Sequence, residues 1–160
     1  MSFVRQIFAG AIAGAAATSA LNIAAYTDMA IRGRGESDAP ATMVKNFAEA
    51  AGAGALASDD EATHHRRSGI GALMGYATGL GIGAVYGALR PALRGVPLLL
   101  AGIALGGAAM ALSDVAIATS GASDPRTWSA ADWAADAIPH AIYGVALAFS
   151  FDALAGSLDR

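Results

Sequence analysis

Gly71, Gly75, Gly79, Gly83 and Gly87 recur every four residues inside one apolar run. In the interior of a water-exposed helix each glycine costs about 0.8–1 kcal/mol relative to alanine, so a soluble helix gains nothing from such a series. Lipid reverses the balance. Backbone hydrogen bonds cannot be surrendered to water there, and residues without bulk let two helix backbones approach closely. A four-residue step turns about 400° around an α-helix, so the glycine line drifts by about 40° per step and stays on one face. The pattern predicts a helix that packs through a groove of small residues, within its own chain or against another.

Four apolar stretches, 7–29, 68–89, 96–118 and 133–155, are long enough to cross a bilayer, which takes about 20 residues. Composition agrees. Of 160 residues, 55 % are hydrophobic and 14 % charged, against roughly one quarter charged in soluble domains. The expected fold is all-α: a four-helix transmembrane bundle with glycine-zipper packing, making one integral membrane domain over residues 1–160. The chain has no cysteine, which excludes disulfides, thiolate metal sites and cysteine nucleophiles. A net charge of −3 with no long basic run gives no electrostatic footprint for nucleic acid. Arg5 followed by the apolar Ile7 to Ala17 imitates a signal peptide, but the apolar character continues past Ser19 to Met29 and reads as a first span.

The long polar loop after the first span contains a second pattern. Met43, Val44, Phe47, Ala48 and Ala51 recur at helical spacing, with Lys45, Asn46 and Glu49 opposite. This predicts a short amphipathic helix over about 40–54, lying on the membrane surface or on the bundle, with Ser37 or Asp38 as its cap and Pro40 in its first turn. The second and third spans are joined through Arg90-Pro91 and Arg94-Gly95, and so tight a link predicts antiparallel neighbours. Trp128 and Trp133 are placed as interfacial anchors. Four spans put both termini on one side of the membrane. That side carries Arg5, Arg90, Arg94 and Arg160 against Asp152 and Asp159, and the other carries six basic and eleven acidic residues. The basic residues of the terminal side sit in short segments without an acidic excess, so both termini are expected to be cytoplasmic.

The four-residue spacing recurs in every span. The first has Gly10, Gly14, Thr18, Asn22 and Tyr26, the third Gly102 and Gly106, and the fourth Asp132, Asp136, His140, Gly144 and Ala148. Shared small or polar stripes predict that all four helices face one another, leaving Ile, Leu, Val and Phe to lipid. In the fourth span Asp136 and His140 are one turn apart, so the carboxylate can hold the imidazole, and Pro139 between them predicts a kink. The topology brings Asp28, His64, His65, Asp114, Asp132, Asp136 and His140 towards one membrane face. They either converge in a polar vestibule, serving as a proton relay, pH sensor or metal site, or end as interfacial groups paired with Arg66, Arg67 and Arg126. His64-His65 behind Asp59-Asp60-Glu61 has metal-binding chemistry, but adjacent helical residues point about 100° apart, so no metal site is assigned. No cofactor is assigned either. Gly79 to Gly83 lacks the preceding strand and the Lys-Ser/Thr of a phosphate loop, and no serine sits in a nucleophile elbow. The chain is not expected to be an enzyme.

A histidine (His64 or His65) ahead of the glycine line, the Arg90-Pro91 turn, a third span, a polar loop, and then Asp132, Asp136, His140 and Tyr143 follow one another in order. In this order the region from Thr63 to Ala155 resembles the YagU-like family of small bacterial inner-membrane proteins. The resemblance implies a multi-pass protein of the bacterial inner membrane and supplies no catalytic residues. Two functions are expected. The first is a structural, accessory or assembly role through glycine-mediated helix packing in the lipid bilayer, as a homo-oligomer or as a subunit of a larger membrane complex. The alternative is a small transporter or proton- or ion-sensing unit built on Asp114, Asp136 and His140.

Overall fold

The computed structural model describes residues 2–158. Met1, Asp159 and Arg160 lie outside it, and with the last two go part of the charge balance at the termini. The chain forms α1 (Phe3–Arg32), α2 (Ala39–Ala50), α3 (Glu61–Leu89), α4 (Leu98–Ser120) and α5 (Ala130–Leu158), with single 3-10 turns at Gly54–Leu56 and Pro125–Thr127. All but α2 are long and apolar enough to cross a membrane.

Caps explain where these helices begin and end. Helix α3 starts at Glu61 rather than 68, because Asp60 accepts the Thr63 amide at 2.9 Å and the Thr63 hydroxyl at 2.8 Å. The capping carboxylate satisfies amides that a helix start leaves open. It thereby carries the polar run through Arg67 into the helix. Helix α1 ends at Gly33 and α4 at Gly121, whose φ values of 62° and 75° are left-handed and cost glycine nothing. Helix α2 stops at Ala50 rather than near 54, since Gly52 turns to φ 69° and the chain restarts as the 3-10 turn. At its start Asp38 occupies the cap position without a side-chain bond, and Ser37 accepts the Ala39 amide at 3.3 Å. Helix α5 runs through Pro139 without interruption.

The helices pack in the order α3–α1–α5–α4. Despite the short link over residues 90–97, α3 and α4 scarcely touch, so they are not the packed neighbours that the link predicted. Their close-fitting glycine faces point to different partners, and those faces decide the packing. For the same reason the four stripes do not meet at a common centre. A core of Ala9, Ala13 and Ala17 from α1, Tyr86 from α3, and Tyr143, Leu147 and Phe151 from α5 fills the middle. The Tyr86 and Phe151 rings meet edge-on at 5.4 Å. Bulky residues such as Phe8, Ile12, Ile23, Val85, Ile103 and Val115 remain exposed on the outside, as a lipid surround allows.

Helix α2 sits across α3 and α4 at the end of the bundle opposite the N-terminus. Pro40 rests on Gly71, and the Asn46 amide donates to the Ser120 carbonyl at 2.8 Å. Ala41, Met43, Val44 and Ala48 are buried against the bundle, but Phe47 and Ala51 are exposed. Arg67 turns inward and donates to the carbonyls of Leu56 (3.1 Å) and Ser58 (2.9 Å).

Candidate functional site

Two seams bring backbones into direct contact. Along α1–α3, a Cβ placed on Gly10 would collide with the Gly83 carbonyl, on Gly14 with the Gly79 carbonyl, and on Gly87 with the Gln6 carbonyl. A Cβ on Gly83 would lie 2.8 Å from the Gly14 Cα. Thr18 covers Gly79, and the Tyr143 hydroxyl from α5 donates to the Gly79 carbonyl at 2.8 Å. Along α4–α5, a Cβ on Gly102 would lie 2.9 Å from Val145 Cα, one on Gly106 would press on the His140 carbonyl, and one on Gly144 would lie 2.7 Å from Gly106 Cα. Gly144 was legible as a member of the Asp136–His140 stripe expected to face the other helices, though not among the glycines singled out for packing. The opening glycine line therefore has three surroundings. Gly79, Gly83 and Gly87 meet α1, Gly71 meets Pro40 of α2, and a Cβ on Gly75 would meet nothing within 4 Å. Gly75 is thus not a packing residue within this chain.

The α4–α5 seam also holds the polar groups. His140 Nδ1 lies 2.9 Å from the Asp136 backbone carbonyl and 3.2 Å from Asp136 Oδ1. On the other side of the ring, Nε2 lies 3.4 Å from the Ser113 hydroxyl of α4. The His140 and Asp136 side chains are only 15 % and 22 % exposed. Asp114, next to Ser113, is near enough to interact electrostatically with both. Asp114 Oδ1 and Asp136 Oδ2 are buried with no hydrogen-bond partner among the described residues. The local sequence builds this arrangement. Gly106 beneath the His140 carbonyl draws the two backbones together, and the four-residue spacing sets Asp136 under the imidazole. Pro139, itself buried, has no amide to give to Ala135. Sequence reasoning missed Ser113, whose only signal was its position beside Asp114.

The wider vestibule does not form, because each remaining group takes a nearby partner. Asp28 pairs with Arg32 at 2.9 Å and also binds Arg34. Asp132 accepts the Ser129 amide at 2.9 Å and hydroxyl at 2.7 Å at the start of α5. His64 lies 3.8 Å from Asp38, and His65 lies 3.6 Å from Glu61. The arginines do not serve the cluster either. Arg126 pairs with Asp124 at 2.9 Å, Arg66 reaches Thr63, and Arg67 is held by carbonyls. In the loops, hydrogen bonds from Lys45 hold the Asp59 carboxyl below the usual carboxylate range, and those from Arg126 do the same for Asp124. Trp128 and Trp133 pack edge-on at 5.1 Å, with the Trp128 indole N–H donating to the Ser123 hydroxyl at 2.9 Å. Among the described residues, no three His, Cys, Asp or Glu side chains are arranged to hold a metal ion.

What remains is a half-buried imidazole between a hydroxyl and a carboxylate, with a second carboxylate beside it. A neutral imidazole donates from one ring nitrogen and a protonated one from both, so a proton gained or lost changes the bonds across the seam. No protein-family model matches the chain, and neither a curated protein nor a solved structure is significantly similar to it.

Proposed function

We propose that this multi-pass membrane protein is a proton- or ion-responsive unit whose working element is the Asp114–Asp136–His140 cluster on the α4–α5 seam. The observation that carries the reading is the pair of buried carboxylate oxygens, on Asp114 and Asp136, left without partners beside His140. Ionisable groups inside a membrane are costly and mark function by default. Here two carboxylates stand by one imidazole with two of their oxygens unpartnered among the described residues, so a bound proton or small cation supplies the partner that the protein itself leaves missing. Membership of the YagU-like family, the bacterial inner membrane and cytoplasmic termini belong to the same proposal, and none of them supplies an activity.

The test is flux through the purified protein in liposomes carrying a pH-sensitive dye. Wild type should equilibrate an imposed proton gradient faster than empty liposomes. Asp136→Asn and His140→Ala should abolish the difference while the protein still elutes as the same species. Wild-type flux equal to that of empty liposomes between about pH 5 and 8, where histidine titrates, rejects the proposal.

An accessory or assembly role is the second reading, and one observation favours it. Residues 72–78, two turns of α3 around Gly75, are exposed in an unbroken run. The close approaches at Gly79, Gly83 and Gly87 are used inside the chain, so association with a second copy or a larger complex falls to this open segment. Under this reading Gly75→Leu abolishes cross-linking in membranes without unfolding the protein. Unchanged cross-linking rejects it.

A further inference from the structure

Helices α3 and α4 are consecutive, yet they diverge, and a cleft of about 350 Å³ lies between them at the end of the bundle that carries the N-terminus. Its walls are Tyr86, Leu93, Val96, Leu100, Ala104 and Leu105, almost wholly apolar. The Arg90–Val96 turn borders the cleft through Leu93 and Val96, and it also borders a recess of about 190 Å³ lined by Gln6, Arg90, Arg94 and Asp152. The turn joins the two spaces: Arg90, which lines the recess, donates to the carbonyl of Leu93, which lines the cleft, at 2.9 Å. Tyr86, which lines the cleft, meets Phe151, which lines the recess, edge-on.

The charges at this end are uneven. Arg90 is held by the Leu93 carbonyl and lies 3.7 Å from Asp152. Arg94 is exposed and makes no ion pair among the described residues. Among those residues the terminal face offers Arg5, Arg90 and Arg94 against Asp152 alone. In the cleft wall, Tyr86 is 2 % exposed and its hydroxyl has no hydrogen-bond partner among the described residues. A buried hydroxyl without a partner is costly, and a ligand oxygen reaching this wall relieves it.

An apolar slot open to the hydrocarbon, two arginines at its headgroup end and an unsatisfied donor in its wall describe a single occupant. We infer that the α3–α4 cleft is a binding site for an anionic phospholipid. One acyl chain lies against Leu100, Ala104 and Leu105, and the phosphate sits beside Arg90 and Arg94. The arginines select the charge, and the cleft selects an attached chain over a free anion. The site is separate from the Asp114–Asp136–His140 cluster and does not depend on what that cluster does.

The test is native mass spectrometry of the intact protein in uncharged detergent. The protein is titrated with phosphatidylglycerol, with phosphatidylcholine of the same acyl chains, and with inorganic phosphate. Phosphatidylglycerol should stay bound as a one-to-one adduct and raise the thermal midpoint, and neither of the other two should. Arg94→Gln should weaken the adduct about fivefold, the loss expected for one arginine at an anionic membrane surface. Ala104→Trp, on an exposed wall that tolerates bulk, should remove the adduct while the elution volume and helix content stay those of wild type. Tyr86→Phe keeps the ring and should weaken binding by a smaller factor. Equal retention of the two lipids, an adduct that survives Ala104→Trp, or a thermal shift produced by inorganic phosphate alone each overturns the assignment.

Discussion

The α1–α3 and α4–α5 seams use one device for two purposes. In both, glycines on facing helices press against the partner's backbone, so that a single added Cβ has nowhere to go. Along α1–α3 the polar atoms that accompany this contact have partners: Thr18 donates to its own Gly14 carbonyl at 2.9 Å, and Tyr143 donates to Gly79 at 2.8 Å. Along α4–α5 the same closeness surrounds Asp114, Asp136 and His140, and two carboxylate oxygens have no hydrogen-bond partner among the described residues. Close packing therefore accounts for the bundle, but it does not account for the acids. One seam is a structural joint and the other a joint with unsatisfied charge.

The largest expected effect tests the shared device. Gly83→Leu and Gly106→Leu should each destabilise the protein by about 3 kcal/mol or more, since each side chain meets backbone rather than a movable side chain. Thermal unfolding in detergent, followed by circular dichroism, reads this. If either variant melts with wild type, the two seams are not equivalent joints. Asp114→Asn comes next and should separate them. Replacing a carboxylate whose Oδ1 is buried with no hydrogen-bond partner among the described residues should stabilise the protein by about 1–2 kcal/mol. Thr18→Val on the other seam, which removes a hydroxyl that already donates to the Gly14 carbonyl, should bring no such gain. A smaller loss, about 1 kcal/mol, is expected for Tyr143→Phe, which removes one buried hydrogen bond between α3 and α5; chemical denaturation measures it. Gly75→Ala should be neutral or should stabilise by up to about 1 kcal/mol, because this member of the glycine line faces open space and alanine is the better helix former. A destabilised Gly75→Ala variant would show that the position is packed after all.

The smallest effect lies outside both seams. Hydrogen bonds from Ser58 and Thr63 hold the Asp60 carboxyl well below its ordinary range. Its folded value is depressed, so its contribution to capping α3 is complete above the unfolded value of about 4 and is lost as pH falls towards the folded one. Helix content followed by circular dichroism into strong acid should show a slight loss in wild type that Asp60→Ala lacks.

The legible part of the fold rested on periodicity and length. Twenty or so apolar residues in a row are enough to mark a span; three of the four expected spans lie within helices of the structure, and the third, 96–118, starts two residues before α4 opens at Leu98. The glycine lines were legible too, because a repeat of four residues on a 3.6-residue helix has to share a face. Partners were not legible. Gly71, Gly75 and Gly79 look alike in sequence yet meet Pro40, open space and Thr18. The short link between α3 and α4 suggested a pair that the glycine faces did not make. Asp28, Asp132, His64 and His65 looked like members of the Asp136–His140 cluster. Local ions and caps claimed Asp28, Asp132 and His65 first, because a partner within a few residues costs less ordering than one on another helix, whereas His64 lies beside Asp38 at the start of α2.

The sequence by itself determined four long apolar helices, the faces along which each could approach a neighbour, and the intrahelical pairing of Asp136 with His140. All of these follow from helical geometry, which a chain carries locally. Only the tertiary structure decided that α3 takes α1 and α4 takes α5, that Ser113 and Asp114 arrive beside His140, and that α3 and α4 stand apart. These depend on which surfaces fit closest once every helix competes for every other, and no single segment contains that information.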